Sequence, residues 1–395
     1  MDKKTFILLL VVFIDLIGFG IVIPILPLLI QHIGGSTILV GIIISIFSLF
    51  QFVFAPILGR LSDKYGRKPV LILSSFLNSI SYFLIFFSQQ IWLLILARML
   101  AGIGSANISV AQAYIADTSS AHERTKKLGF IGAAFGLGFI VGPVLGGLVS
   151  SQFSIQTAFL IPAILSFINT GLIFLILPES NKILQKHIKI ELFNLKVTRE
   201  VLKPKNIAFL LLLFFFVNFA LSLIIGVFSL LGQAKFGWNE AQNGYFFGLI
   251  GIGSFTTQGF LIALMLKKIN EIGMIKMGLI IFSISIALMG LSPWSWLTIV
   301  TGLVTPFAVS LLMVNTQSLI SMESKPEEQG IVMGVAQSFG ALGRVFGPLI
   351  GGTLAIFSLS LPFLVAGVVT VLIFLFGGKY LKFMSEAKKL ETNPK

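Results

Sequence analysis

Apolar residues run along the chain in twelve long stretches, separated by short polar segments that hold nearly all the charged residues. A helix needs about 20 mostly apolar residues to cross a bilayer, and each stretch approaches or exceeds that length. Proline and glycine inside them are tolerated in a bundle, because neighbouring helices satisfy the freed backbone groups. The pattern predicts an all-α integral membrane protein with twelve transmembrane helices, spans 1 to 12, at residues 6–30, 38–58, 69–87, 91–115, 128–150, 157–177, 207–232, 242–266, 274–292, 295–320, 330–352 and 360–378.

Composition supports this interpretation and excludes other classes. Of 395 residues, 56% are hydrophobic and 11% are charged, whereas a soluble domain is about 25% charged. The absence of cysteine excludes disulfide frameworks and thiolate metal sites. A membrane-embedded enzyme is disfavoured, because all three histidines fall in predicted loops and no acid–base cluster lies in the spans. We expect no catalytic residue, no cofactor and no metal.

The basic residues predict the orientation. With the N-terminus placed in the cytoplasm, 25 of the 28 Lys and Arg residues lie on the cytoplasmic side, and only Lys235 lies outside. The remaining two, Arg98 and Arg344, lie within spans. This distribution follows the positive-inside rule and predicts a multi-pass protein of the plasma (inner) membrane with both termini cytoplasmic. The net charge of +13 is then a topology signal and does not indicate a nucleic-acid partner.

The two halves of the chain resemble each other. Residues 112–147, shifted by 205, fall on residues 317–352 with eleven of 36 positions identical. Because six spans separate the copies, they have the same orientation, as in transporters built from parallel repeats. The identical positions are Gln112, Ile115, Ser119, Glu123, Gly129, Leu137, Gly138, Gly142, Pro143, Gly146 and Gly147.

The repeat predicts two six-helix halves. The longest polar connection, 178–206, lies between them and is either a solvated linker or a short amphipathic helix on the membrane surface. We therefore expect an N-terminal half at 1–177, a C-terminal half at 207–378, and a cytoplasmic tail at 379–395.

The connection between spans 2 and 3 carries the motif GRLSDKYGRKPV. Gly59 and Gly66 predict a tight turn, and the Asp63 carboxylate is suited to a helix N-terminus. Arg67 can pair with Asp117 at the end of span 4. This set can form a latch that holds in one state and opens in another. The alternative is that its basic residues serve topology alone.

Span 5 carries the glycine-rich motif GLGFIVGPVLGG, and span 11 carries a partial copy, GRVFGPLIGG. Glycines at every fourth position leave one helix face nearly flat and allow close packing. Packing alone explains the pattern, and a helix that bends or slides is the functional alternative. The residues are Gly138, Gly142, Pro143, Gly146, Gly347 and Pro348.

These motifs resemble the major facilitator superfamily, and most closely the tetracycline/proton antiporters of its twelve-span drug/proton antiporter branch. The resemblance covers nearly the whole chain. Besides the two motifs above, it rests on DLIGFGIVIPILP (Asp15–Pro27), LARMLAGIGSA (Leu96–Ala106), IADTSSAHER (Ile115–Arg124) and FGWN (Phe236–Asn239).

The resemblance implies a rocker-switch cycle in which a proton-coupled antiporter exports lipophilic small molecules, as in drug or multidrug efflux. The alternative is an exporter or flippase for an endogenous metabolite or lipid. We expect a monomer whose partners are the substrate, protons and the bilayer. One departure concerns the substrate. Tetracycline antiporters carry a further carboxylate in span 9, whereas span 9 here has none beyond its inner edge, which puts tetracycline in doubt.

Three charged residues lie well inside the spans, whereas Lys276 lies at the cytoplasmic end of span 9. Asp15 is the one acidic residue well within a span. An ionised carboxylate there costs a few kcal/mol, so Asp15 is the candidate for proton coupling. The alternative is a structural carboxylate that is permanently paired with a basic residue. Arg98 is its expected partner, acting either on the carboxyl group or as a structural brace. Arg344 stands where the first half has Phe139, and it either braces the helices, which we rank first, or neutralises a substrate anion.

By resemblance, spans 1, 4, 7 and 10 line the central cavity. Five polar residues on these spans are candidates for orienting a substrate by hydrogen bonding. For any one of them, a hydrogen bond to a neighbouring helix is the simpler hypothesis. They are Asn107, Gln112, Asn218, Asn315 and Gln317.

Overall fold

The computed structural model describes residues 3–119, 121–181, 195–325 and 328–392, and their regular structure is helical. We number the α-helices in chain order. They are α1 (Lys3–His32), α2 (Thr37–Tyr65), α3 (Arg67–Phe86), α4 (Ile91–Gly104), α5 (Ile108–Thr118), α6 (Ala121–Gln152), α7 (Leu160–Ile176), α8 (Leu195–Val201), α9 (Lys205–Ile225), α10 (Phe228–Phe236), α11 (Glu240–Thr256), α12 (Ile262–Met265), α13 (Glu271–Leu291), α14 (Ser295–Glu323), α15 (Gln329–Leu354) and α16 (Leu361–Thr392).

Every predicted span lies on helix, so the prediction of an all-α membrane protein is confirmed. Among the described residues, eleven helical segments are long and apolar enough to cross a membrane. The twelfth predicted span corresponds to α15, which has 26 residues. Its glycines, Gln337 and Arg344 lower its mean hydropathy.

Three predicted spans are each made of two helices. In span 4, a 3₁₀ turn at Ser105–Asn107 joins α4 to α5. In span 7, α9 ends at Ile225 and α10 begins at Phe228. In span 8, a π-helical turn at Thr257–Leu261 joins α11 to α12. Short 3₁₀ and π segments within helices often mark functional positions, and the turn in span 4 ends on Asn107.

The motif between spans 2 and 3 is more helical than predicted. Helix α2 continues to Tyr65, and the turn is made by Gly66 alone, whose φ is +104°. Gly59 lies inside α2, and a Cβ there would have nothing within 4 Å. The prediction that Gly59 shares in the turn is therefore wrong. One left-handed glycine suffices to end α2, because α3 begins directly at Arg67.

The polar segments between and after the halves are partly helical. Within the predicted linker 178–206, residues 182–194 lie outside the described residues, Leu195–Val201 form α8, and α9 begins at Lys205. Helix α16 continues to Thr392 through most of the predicted tail, and residues 393–395 lie outside the described residues.

The chain divides into two compact units. The first comprises Met1–Leu192 with Phe228–Ile252, and the second comprises Phe193–Val227 with Gly253–Lys395. The gap between α9 and α10 is therefore a boundary between the units, since α9 belongs to the second and α10 to the first.

A helix pair in each unit is in close contact through glycines. In the first unit, α6 packs on α1, and a Cβ at Gly142 would lie 2.5 Å from the Ile17 carbonyl oxygen. In the second unit, α15 packs on α9, and a Cβ at Gly347 would lie 2.5 Å from the Ser222 Cβ. The shift of 205 that relates Gly142 to Gly347 also relates Ile17 to Ser222. The sequence repeat is thus also a repeat of helix packing.

Candidate functional site

The carboxyl group of Asp15 lies within α1 among amide side chains. Its Oδ2 accepts a hydrogen bond of 2.8 Å from the Asn107 Nδ2, which the 3₁₀ turn of span 4 brings to α1. Asn78 of α3 and Asn169 of α7 lie beside the same carboxyl group. Its Oδ1 is buried and has no hydrogen-bond partner among the described residues. The site therefore presents one fixed and one unoccupied carboxyl oxygen.

Helix α3 contributes a polar face to this site. Asn78 and Tyr82 are both buried, and they are four residues apart, so they share one helix face. The Tyr82 hydroxyl lies against Gly18 of α1, where a Cβ would be 2.6 Å away. Gly18 follows Asp15 by about one turn, so Tyr82 closes the site along α1.

Arg98 lies near this site without pairing with its carboxylate. Its side chain is buried, and its guanidinium lies over the Phe47 ring, with Cζ 4.1 Å from the ring centroid. No ion pair between described residues joins Arg98 to Asp15, so the direct contact that the sequence left possible is not formed. A cation over an aromatic face is attracted by the ring quadrupole, and Phe47 thus partly replaces the missing carboxylate.

Arg67 is the centre of an ionic network at the junction of α2 and α3. Its guanidinium makes ion pairs of 2.5 Å with Asp63 and 3.0 Å with Asp117. Its Nη1 also donates to the Ser62 Oγ at 2.6 Å, and the Ser180 Oγ donates to Asp117 at 3.1 Å. The arginine side chain is 10% exposed. The structure therefore joins three of the predicted latch residues, on α2, α3 and α5.

Glu179 completes this network and escaped the sequence analysis. Its carboxylate accepts hydrogen bonds of 2.9 Å and 3.0 Å from the backbone N–H groups of Arg67 and Lys68. These N–H groups open α3 and lack partners within the helix, and the helix dipole favours an anion there. Gly66 permits this approach, since a Cβ at Gly66 would collide with the Glu179 carboxylate.

Arg344 lies in the second unit, deep in α15. Its Nη1 donates a hydrogen bond of 3.0 Å to the Asn218 Oδ1 of α9. The Asn218 Nδ2 donates to the Phe214 carbonyl oxygen at 2.8 Å, which orients the amide oxygen toward the arginine. Among the described residues, no acidic side chain forms an ion pair with Arg344.

Comparisons with known proteins identify the family. A sequence profile described as Major Facilitator Superfamily matches residues 8–295 and 259–394. The chain belongs to the Major Facilitator Superfamily. The predicted resemblance is thereby confirmed, and this member is a multi-pass membrane transporter rather than an enzyme.

Several relatives of this superfamily member are named for resistance. The class B tetracycline resistance protein of Escherichia coli is 30% identical over 92% of this chain and 90% of that protein. Multidrug resistance protein 2 of Bacillus subtilis (strain 168) is 32% identical over 94% of this chain and 93% of that protein. The crystal structure of nucleoside transporter NupG shares the fold, with a TM-score of 0.79 at 16% identity over 96% of this chain and 99% of that one.

The predicted cavity residues of this superfamily member have different environments. Asn107 binds Asp15, and Asn218 binds Arg344. Asn315 is buried and donates to the Leu311 carbonyl oxygen at 2.7 Å, which favours a structural role. Gln112 is exposed and Gln317 is half-buried, so neither side chain is enclosed in the core of its unit.

The residues missed by the sequence analysis are Asn78, Tyr82, Asn169 and Glu179. The first two had a signal, because polar residues recur at helical spacing along the otherwise apolar span 3. Asn169 lies beside Thr170 in span 6, and Glu179 follows that span in the run PES. Neither has a sequence pattern that links it to Asp15 or Arg67.

Proposed function

We propose that the protein is a proton-coupled antiporter that exports lipophilic small molecules by alternating access. It works as a monomer in the plasma (inner) membrane, with both termini in the cytoplasm. The two six-helix halves, 1–177 and 207–378, are the bodies that move.

The environment of Asp15 is the observation that carries this proposal. A carboxylate at this depth is expensive when ionised, and intramembrane acids commonly serve proton relays. The amide groups around Asp15 are neutral. Among the described residues, no cation forms an ion pair with its carboxyl group, so the charge of an ionised Asp15 is not compensated. Its unoccupied Oδ1 can carry a proton. Asn107 holds Oδ2 in either protonation state, because an amide N–H can donate to a carboxylate or to a carbonyl oxygen.

The relatives support drug export as the class of transport. Both tetracycline and multidrug resistance proteins align with nearly the whole chain. Helix α13, which forms span 9, carries Glu271 only at its first residue. We therefore propose lipophilic drugs in general rather than tetracycline in particular, with Asp15 as the coupling site.

The network around Arg67 and the glycine-rich helix α6 are the elements that rearrange during the transport cycle. The ion pairs of Arg67 with Asp63 and Asp117 hold α2, α3 and α5 together in one state and break in the other. Helix α6, loosened at Pro143 and flat at its glycines, slides or bends against α1. Its counterpart α15 does the same against α9.

Transport in proteoliposomes tests the coupling role. With an imposed pH gradient, wild-type protein accumulates a substrate such as ethidium or a lipophilic antibiotic against its gradient, and Asp15→Asn does not. The amide keeps the shape and an acceptor for Asn107 but cannot carry the proton. Asp15→Glu, which keeps the carboxyl group, retains part of the accumulation.

Substrate exchange without a gradient is the control measurement. We expect Asp15→Asn to exchange substrate across the membrane at a rate near that of wild type, because exchange does not require net proton movement. Accumulation by Asp15→Asn in response to the pH gradient would contradict the proposal.

A further inference from the structure

Arg344 is a cation placed where the fold does not require one. It lies about 22 Å from the first residue of α15 and about 15 Å from its last. The packed face of α15 is made of Gly343, Gly347 and Gly351, and Arg344 adjoins that face. At the equivalent position of the first unit, Phe139 packs its ring 5.7 Å from that of Phe19. The same helix packing is therefore achieved there without a charge.

Among the described residues of its unit, no acidic side chain forms an ion pair with Arg344. The acidic side chains described there lie at or near helix ends, as with Glu271 at the start of α13 and Glu323 at the end of α14. An ion pair in this unit joins Lys325 to Glu328 at the surface. Asn218, which accepts from Arg344, is neutral.

The guanidinium also has donors to spare. An arginine presents a planar fork of N–H groups, and among the described contacts Arg344 donates one hydrogen bond. Its side chain is only partly buried. Arg98 also lacks an ion pair among the described residues, and its Nε has no hydrogen-bond partner there, but its side chain is buried and lies over the Phe47 ring. Arg98 is therefore enclosed against an aromatic ring, whereas the Arg344 side chain remains partly exposed.

A charge held this deep in a membrane protein marks a ligand or ion pathway. A guanidinium fork matches the geometry of two oxygens of one oxyanion. We propose that Arg344, positioned by Asn218, binds an anionic oxygen group of the transported molecule, such as a carboxylate, an enolate or a sulfonate. The substrate is then a lipophilic anion or a zwitterion. This inference rests on the proposed function and names the substrate class.

A matched pair of dyes tests this subsite. Tetramethylrhodamine carries a free carboxylate, and its methyl ester does not. Equilibrium binding of each to the purified protein, followed by fluorescence polarisation, gives the preference for the carboxylate. We expect wild type to bind the acid about tenfold or more tightly than the ester, the effect of one charged hydrogen-bonded contact.

Two variants separate an anion subsite from a brace. Arg344→Gln removes the cation and is expected to abolish the preference, whereas Arg344→Lys retains part of it. Asn218→Asp leaves the arginine in place but puts a carboxylate within hydrogen-bonding distance of it. It should therefore also abolish the preference, while the thermal midpoint stays at or above that of wild type. If Arg344→Gln does not fold, Asn218→Asp carries the test.

The inference is overturned if wild type shows no preference for the acid or if the preference survives Asn218→Asp. It is also overturned if Arg344→Gln weakens the binding of both dyes equally. Transport of both dyes under a pH gradient distinguishes a failure of the anion subsite from a failure of the proposed proton-coupled export. A wild type that binds the acid preferentially but accumulates neither dye supports the subsite and contradicts proton-coupled export.

Discussion

The helix pairs α1/α6 and α9/α15 share one packing arrangement but carry opposite charges. In both pairs, a glycine-rich helix lies against the backbone of its neighbour, with Gly142 against Ile17 and Gly347 against Ser222. In the first pair, α1 carries Asp15, and in the second, α15 carries Arg344. The comparison teaches that the repeat supplies a scaffold, while the chemistry resides in residues that break the repeat.

The two units also differ in their ionic networks. The first contains the Arg67 network with Asp63, Asp117 and Glu179. In the second unit, Lys325 and Glu328 form an ion pair that is 3.9 Å long and largely exposed. The latch that we propose lies in the first unit.

The largest expected effect tests whether the glycine contacts are equivalent in the two pairs. Gly142→Ala and Gly347→Ala each place a Cβ 2.5 Å from an atom of the facing helix. At Gly142 that atom is a backbone oxygen, which cannot move independently of α1. We expect each substitution to cost about 1–3 kcal/mol, as overpacking does, measured by thermal unfolding in detergent.

Gly132→Ala is the matched control, because a Cβ there has nothing within 4 Å. Alanine is a better helix former than glycine by about 1 kcal/mol, so this variant should be as stable as wild type or more so. A gain in stability for Gly142→Ala, or a loss for Gly347→Ala alone, would show that the two contacts are not equivalent.

A smaller effect is expected from the ionic networks. Arg67→Ala leaves Asp63 and Asp117 without their cation, at side-chain exposures of 36% and 27%. Water can solvate the two partly exposed carboxylates, so we expect the free energy of unfolding to fall by about 1 kcal/mol. Transport should be slower, and substrate binding should be unchanged. Lys325→Ala removes an exposed pair and should change stability by less than about 0.5 kcal/mol. Equal effects of the two substitutions would remove the distinction between the units.

Much of the fold was predictable, because burial in lipid leaves a strong pattern. Twelve apolar stretches indicated the helices, and the glycine repeat indicated a close-packing face on α6, although it did not identify α1 as the partner. The pairing of Arg67 with Asp117 followed from their places at neighbouring span ends. Counting residues along a span gives the depth of a side chain in the membrane, however, and not the direction in which it points around the helix axis. Asp15 therefore meets Asn107, which a 3₁₀ turn displaces, rather than Arg98. Glu179 reaches α3 through a fold contact more than a hundred positions along the chain, for which a single sequence has no pattern.

The most direct test of the account is the proton released when substrate binds. Purified protein in weakly buffered detergent solution is mixed with a saturating substrate, and a pH indicator reports the protons released. We predict release from wild type and from Arg344→Gln at substrate concentrations that saturate it, and none from Asp15→Asn. Release from Asp15→Asn equal to that of wild type would contradict the claim that the carboxyl group of α1 carries the coupled proton.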